Sequence, residues 1–165
     1  MNTVPGKIFV ALQGDVGVIR LVGDIRVTLC TSIDKTIDNI LCADHPYRDV
    51  IIDLREAESI DSTSLGLLAK LSIHSKKRYN IRPTIVSTNP SITKLLNGVG
   101  FPQIFNILTS LDQDCPGCQE FTASNQLDEA AAKTKVIEAH KILMDLNLEN
   151  RAAFRELVNT LEASS

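Results

Sequence analysis

Asp61-Ser62-Thr63-Ser64 sets one carboxylate and three hydroxyls on four consecutive residues. Two kinds of chemistry suit such a run. Ser and Asp are favoured at helix starts, where their side-chain oxygens accept the free backbone N–H groups of the first turn. A hydroxyl at that position is also a reachable phosphoryl acceptor. The added group brings a charge of about −1.5 to −2 at neutral pH, which the helix dipole and free N–H groups favour. Local physics prefers the cap and says only that a phosphate would be tolerated. The chain has no Gly-rich nucleotide loop, so phosphoryl-transfer machinery would have to come from a partner.

Cys115-Pro116-Gly117-Cys118 is the other conspicuous group. CxxC can be redox-active or supply half of a zinc site. No second ligand pair stands at a convincing spacing: Cys30 and Cys42 flank one expected helix, and His45, His74 and His140 are scattered. The plain reading is a turn with two incidental thiols, so Cys115 and Cys118 are weak metal candidates, and no metal or other cofactor is expected. A four-thiolate zinc site shared by two subunits is the speculative alternative. His140 reads as a packing histidine with neither an acid nor a nucleophile as partner. Lys76-Lys77-Arg78 reads as cations complementing a helix C-terminus. Asp53, Glu56, Glu58 and Asp61 read as solvated charge around a connection.

The elements that would position Ser62 follow from periodicity. Ile8–Leu12 and Val16–Val22 flank the turn Gln13-Gly14-Asp15, which predicts a β-hairpin. A helix is expected from a Thr31 or Ser32 cap to about Cys42, with Ile33, Ile37, Ile40 and Leu41 at helical spacing. Val50–Leu54 suits a central strand. Residues 55–59 read as a connection, and a helix follows over about Thr63–Lys77. Arg82–Val86 is expected as a strand, a short helix opens at Pro90, and Ile104–Leu108 closes as a strand. Strands alternating with helices argue an α/β layer fold, and the hairpin makes its sheet mixed. Residues 109–125 shift to Asp, Gln, Pro, Gly and Ser. The domain reading is thus 1–111, a linker over 112–126 containing the CPGC motif, and a helical extension over 127–165 that breaks near Leu146-Asn147. The apolar stripes of that extension must be buried against the domain, a second copy in a homodimer, or a partner groove; packing within the chain is the expectation.

Composition narrows the function classes. With 17 Lys and Arg against 20 Asp and Glu, the net charge of −3 argues against a nucleic-acid binder. Aromatic residues are 4% of the chain and Trp is absent, which disfavours a base-stacking platform. No apolar run reaches the roughly 18 residues of a membrane span, and the start Met1–Gly6 lacks a signal pattern. A cytoplasmic protein without membrane attachment is expected, with reduced cysteines.

Val50-Ile51-Ile52-Asp53-Leu54, followed by Ile60-Asp61-Ser62-Thr63-Ser64-Leu65-Gly66-Leu67-Leu68, resembles the STAS signature of bacterial anti-sigma factor antagonists. Ile19–Ile25, with Gly23-Asp24, resembles that family's second strand and turn. Ile85–Ile92 resembles its later strand and helix start. The resemblance spans roughly Lys7 to Leu111. It implies a STAS-type mixed sheet with helices packed on it, to which the C-terminal helical extension is added. It further implies a non-enzymatic switch: a serine-kinase anti-sigma factor binds the chain and phosphorylates Ser62, and a metal-dependent serine phosphatase reverses this. Asp24, Asp61, Thr63, Ser64, Leu65 and Gly66 would then contact the partner. Ser64 replaces the usual Gly of the motif, which makes Thr63 a second-choice acceptor. The alternatives are a STAS scaffold module in another signalling complex, such as one for motility or biofilm, a CxxC redox or metal-binding protein, and a lipid- or nucleotide-binding carrier.

Overall fold

A computed structural model of the chain describes residues 4–110, 119–121 and 128–164. Strands β1 (Lys7–Gln13) and β2 (Val16–Ile25) form the expected antiparallel hairpin, with Gln13 opposite Val16 across a turn in which Gly14 takes φ +62°. β2 runs past the expected end at Val22. Gly23, at φ +81°, kinks the strand without stopping it, and Asp24 and Ile25 move onto a new neighbour. Helix α1 (Cys30–Leu41) follows a short 3₁₀ turn at Val27–Leu29. Its cap position is Leu29, which makes no side-chain cap bond, rather than Thr31 or Ser32. The 3₁₀ turn leads the chain directly into the helix.

Strand β3 (Asp49–Asp53) lies parallel to β2. The next segment departs from the expected connection, because Ala57–Ile60 is strand β4, parallel to the far end of β2. Helix α2 (Ser62–Tyr79) then runs to Asn80, whose left-handed backbone at φ 54° ends it. Strand β5 (Thr84–Val86), helix α3 (Pro90–Gly98) and strand β6 (Asn106–Leu108) complete the parallel part. Among the described residues the strand path is β6-β5-β3-β2-β1 and then β7 (Gln119–Phe121), with β4 on β2. β7 lies within the expected linker over 112–126. Its three residues pair antiparallel with β1, covering an edge whose N–H and C=O groups would otherwise stand open. Cys115 and Cys118 lie outside the described residues.

Helices α4 (Glu129–Met144) and α5 (Leu148–Ala163) form the C-terminal pair. They break where the sequence predicts, with Asp128 and Asn147 as side-chain caps. They pack within the chain. One apolar core joins Ile19, Leu21, Ile52 and Ile85 of the sheet to Ile33 and Ile37 of α1, Leu67 and Leu68 of α2, and Leu143 of α4.

Charge ties α4 down as well. Asp34 of α1 accepts from Lys70 Nζ of α2 at 3.2 Å and from Lys135 of α4, and Lys70 also reaches Glu138 of α4 at 3.0 Å. Burial raises the Asp34 carboxyl, but the hydrogen bonds and charges of Lys135 and Lys70 outweigh it and hold the pKa below the ordinary carboxylate value. A folded-state pKa that is lowered contributes stability above the unfolded-state value, and this contribution is lost as pH falls through the folded one. Asp34→Asn should therefore cost about 1–3 kcal/mol in denaturant unfolding at neutral pH. The difference from the parent should shrink below about pH 4. A difference that stays constant with pH would contradict this assignment.

Candidate functional site

The start of α2 is built around Asp61, whose extended backbone (φ −85°, ψ 168°) places it at the helix cap. Its Oδ1 accepts from Ser64 N–H at 2.8 Å, the cap bond expected from the sequence. Its Oδ2 accepts from Val27 N–H at 2.9 Å, and its own N–H donates to Ile25 O at 3.0 Å. One residue thus ties the helix start to the end of β2 and to the 3₁₀ turn.

Ser62 is the first residue of α2 and is half-buried. Its Oγ lies 2.7 Å from His140 Nε2. His140 Nδ1 lies 2.6 Å from Val136 O one turn earlier in α4. That carbonyl can only accept, so Nδ1 carries the ring proton. In the neutral ring Nε2 then offers a lone pair, and the Ser62 hydroxyl donates to it. The ring is 2% exposed and meets Phe154 of α5 edge-on, with centroids 5.0 Å apart. This corrects the expectation that His140 has no nucleophile partner. It is still a packing histidine, but it packs against Ser62.

The other expected site residues divide by burial. Asp24, at the end of β2, accepts from Ser59 Oγ and pairs with Arg26 at 2.5 Å. Asp24, Asp61 and Ser62 all keep some solvent exposure. Thr63 is 5% exposed, Ser64 is fully buried with no hydrogen-bond partner for its hydroxyl among the described residues, and Leu65 belongs to the core. Gly66 is buried beneath α4, where a β-carbon would come within 2.6 Å of Ala139 Cβ and overlap its carbonyl. Thr63, Ser64, Leu65 and Gly66 are thus turned away from solvent in this conformation, and at Gly66 the cover is α4.

Elsewhere, Cys30 is a buried free thiol and Cys42 an exposed one. A groove of about 340 Å³ lies along the C-terminal half of α2, lined by Ser72, Ile73, Lys76, Lys77, Ile81 and Arg82 and separate from Ser62. Among the described residues no helix is long and apolar enough to cross a membrane, and no group of three or more His, Cys, Asp or Glu could hold a metal ion.

The model of the STAS domain matches residues 7–113, well over half of the chain and the whole stretch from β1 to β6. The chain belongs to the STAS domain family. Its fold is similar to that of an anti-sigma factor antagonist from Mycobacterium paratuberculosis, at 21% identity and a TM-score of 0.54 over 67% of this chain and 87% of that one. It is also similar to the Bacillus cell fate determinant SpoIIAA, solved in its phosphorylated form. That match has 16% identity and a TM-score of 0.51 over 62% of this chain and 92% of that one. At these identities the likeness is one of fold. No curated protein sequence matches the chain. The STAS match ends before α4 begins, so the partner of Ser62 comes from outside it.

The sequence signal for the α2–α4 contact was Gly66 itself, a glycine inside a helix, where Ala would ordinarily be favoured by about 1 kcal/mol. Gly66→Ala should have the opposite sign here and lower stability by about 1–3 kcal/mol, because α4 has to shift. Thermal and denaturant unfolding of the two proteins measures this; a stabilised variant would show that the helices are not in close contact.

Proposed function

We propose that this STAS protein is a non-enzymatic, cytoplasmic anti-sigma factor antagonist whose binding is switched by phosphorylation of Ser62. The carrying observation is the exposure of the Asp-Ser-Thr-Ser run: Ser62 alone of its three hydroxyl residues is not buried, and it stands at a helix start. Thr63, the second choice, would have to leave the interior to react. The likeness in fold to an antagonist and to a phosphorylated SpoIIAA supports the reading.

In this reading residues 1–111 are the switch domain and 127–165 a helical extension. The partner is an anti-sigma factor with serine-kinase activity that holds a nucleoside triphosphate. Ser62 Oγ forms a bond to the γ-phosphorus, the bond to the β–γ bridging oxygen breaks, and the nucleoside diphosphate leaves. The hydroxyl proton passes to a base on the kinase or to water. A metal-dependent serine phosphatase hydrolyses the ester and restores the hydroxyl. Asp61 orients the helix start and, with Asp24, forms the polar rim that meets the partner. The phosphate's charge of about −1.5 to −2 next to these carboxylates makes the rim repel an acidic partner surface.

Ser62→Ala should keep anti-sigma factor bound constitutively, and Ser62→Asp should weaken that binding. Pull-down from the native host with phosphosite mapping reads both partner and acceptor. Equal binding by both variants and the parent, or a phosphate mapped only to another residue, would reject the switch.

A further inference from the structure

The Ser62–His140 hydrogen bond joins the acceptor residue to a helix that lies outside the STAS match. We propose that α4 reports the state of Ser62: it is docked on α2 while Ser62 carries its hydroxyl, and it is released when Ser62 is phosphorylated. This rests on the reading of Ser62 as phosphoacceptor and adds what phosphorylation does to the rest of the chain.

The geometry gives three reasons. First, the hydroxyl proton is the hydrogen-bond donor in the contact. The dianionic phosphate ester has no such proton, and its oxygens would face the lone pair that Nε2 offers in the neutral ring, whose proton is on Nδ1 against Val136 O. Second, 2.7 Å between Oγ and Nε2 leaves no room for a phosphorus with three further oxygens. The ester must either turn outward, leaving Nε2 buried and unpaired, or push α4 away. Third, the contact beside it leaves little slack for a small adjustment, because Ala139 rests directly on Gly66 and the His140 ring packs on Phe154. α4 is also held by Leu143 and Ile142 against the core, by Asn150 of α5 donating to Leu143 O, and by the ion pairs of Lys135 and Glu138. The Ser62 contact is the one among these that phosphorylation of Ser62 removes directly. The docked α4 borders Ser62 and so shapes the surface a partner meets. Its release turns a local charge into a change of a whole surface element.

Hydrogen–deuterium exchange on the full chain with phosphoserine installed at position 62 tests this, with the unmodified chain as reference. Amides of α4 should exchange about tenfold faster or more, the effect of leaving one buried polar atom unpaired, while those of β3 and β5 keep their protection. Unchanged or increased α4 protection would overturn the proposal; the latter would mean that a protonated His140 grips the phosphate. Faster exchange throughout the sheet would overturn it too, since the response would then be global loosening. A second variant probes release without touching Ser62 or His140. Lys135→Glu with Glu138→Lys turns both α4 ion pairs into repulsions at constant net charge. It should speed α4 exchange selectively, and co-unfolding of the sheet would show that α4 cannot leave as a unit. Failure here leaves the phosphosite reading intact, whereas absence of phosphate at Ser62 in the host removes that reading without bearing on the exchange result.

Discussion

Close approach of α4 to α2 is the constraint from which the rest of the site follows. Two helices come this near only where one lacks a side chain, and Gly66 provides the gap that Ala139 fills. With the backbones in contact, His140, the next residue after Ala139, falls against Ser62 at the first turn of α2. About two turns further along α2, Lys70 falls between Asp34 and Glu138. A β-carbon at Gly66 would separate these partners together. The contact also accounts for a burial pattern that an amphipathic helix on one sheet would not show. Ser64, Leu65, Gly66, Leu67, Leu68 and Ala69 are all buried, because neighbours close on α2 from more than one side.

Asp61 is the second fixed point. Its carboxylate accepts one N–H from the helix it caps and one from the 3₁₀ turn after β2, so the helix start cannot shift without losing both bonds. Ser62 is thereby held with its hydroxyl between solvent and His140. A capping carboxylate and a modifiable hydroxyl on adjacent residues are not competing explanations of the motif. The cap holds in place the hydroxyl that the switch uses.

Much of this was legible in the residues. The hairpin, the central β3 strand, the α2 start and the break between α4 and α5 each have a local cause: a turn glycine, a β-branched run, a capping Asp, a capping Asn. β4 was hidden because Ala57-Glu58-Ser59-Ile60 is short and polar, and only its pairing with the kinked end of β2 makes it a strand. β7 was hidden for a similar reason, since Gln119–Phe121 acquires its structure from the open edge of β1. The Ser62–His140 contact spans 78 residues, and no periodicity or spacing connects positions so far apart. The family resemblance reached Ser62 but not His140, which lies beyond the matched segment. It also placed Ser64, Leu65 and Gly66 on a contact surface; all three are buried in this conformation, Leu65 in the core and Gly66 against Ala139 of the added helix.

The central claim is that Ser62 gives its hydroxyl proton to a ring whose tautomer is set from the other side. Long-range ¹H–¹⁵N correlation of the histidine side chains in the unmodified full chain measures this directly. His140 should hold its proton on Nδ1 with Nε2 bare, and Ser62→Ala should shift the Nε2 resonance while leaving His45 and His74 unmoved. A ring protonated on Nε2, or a His140 resonance indifferent to Ser62→Ala, would contradict it.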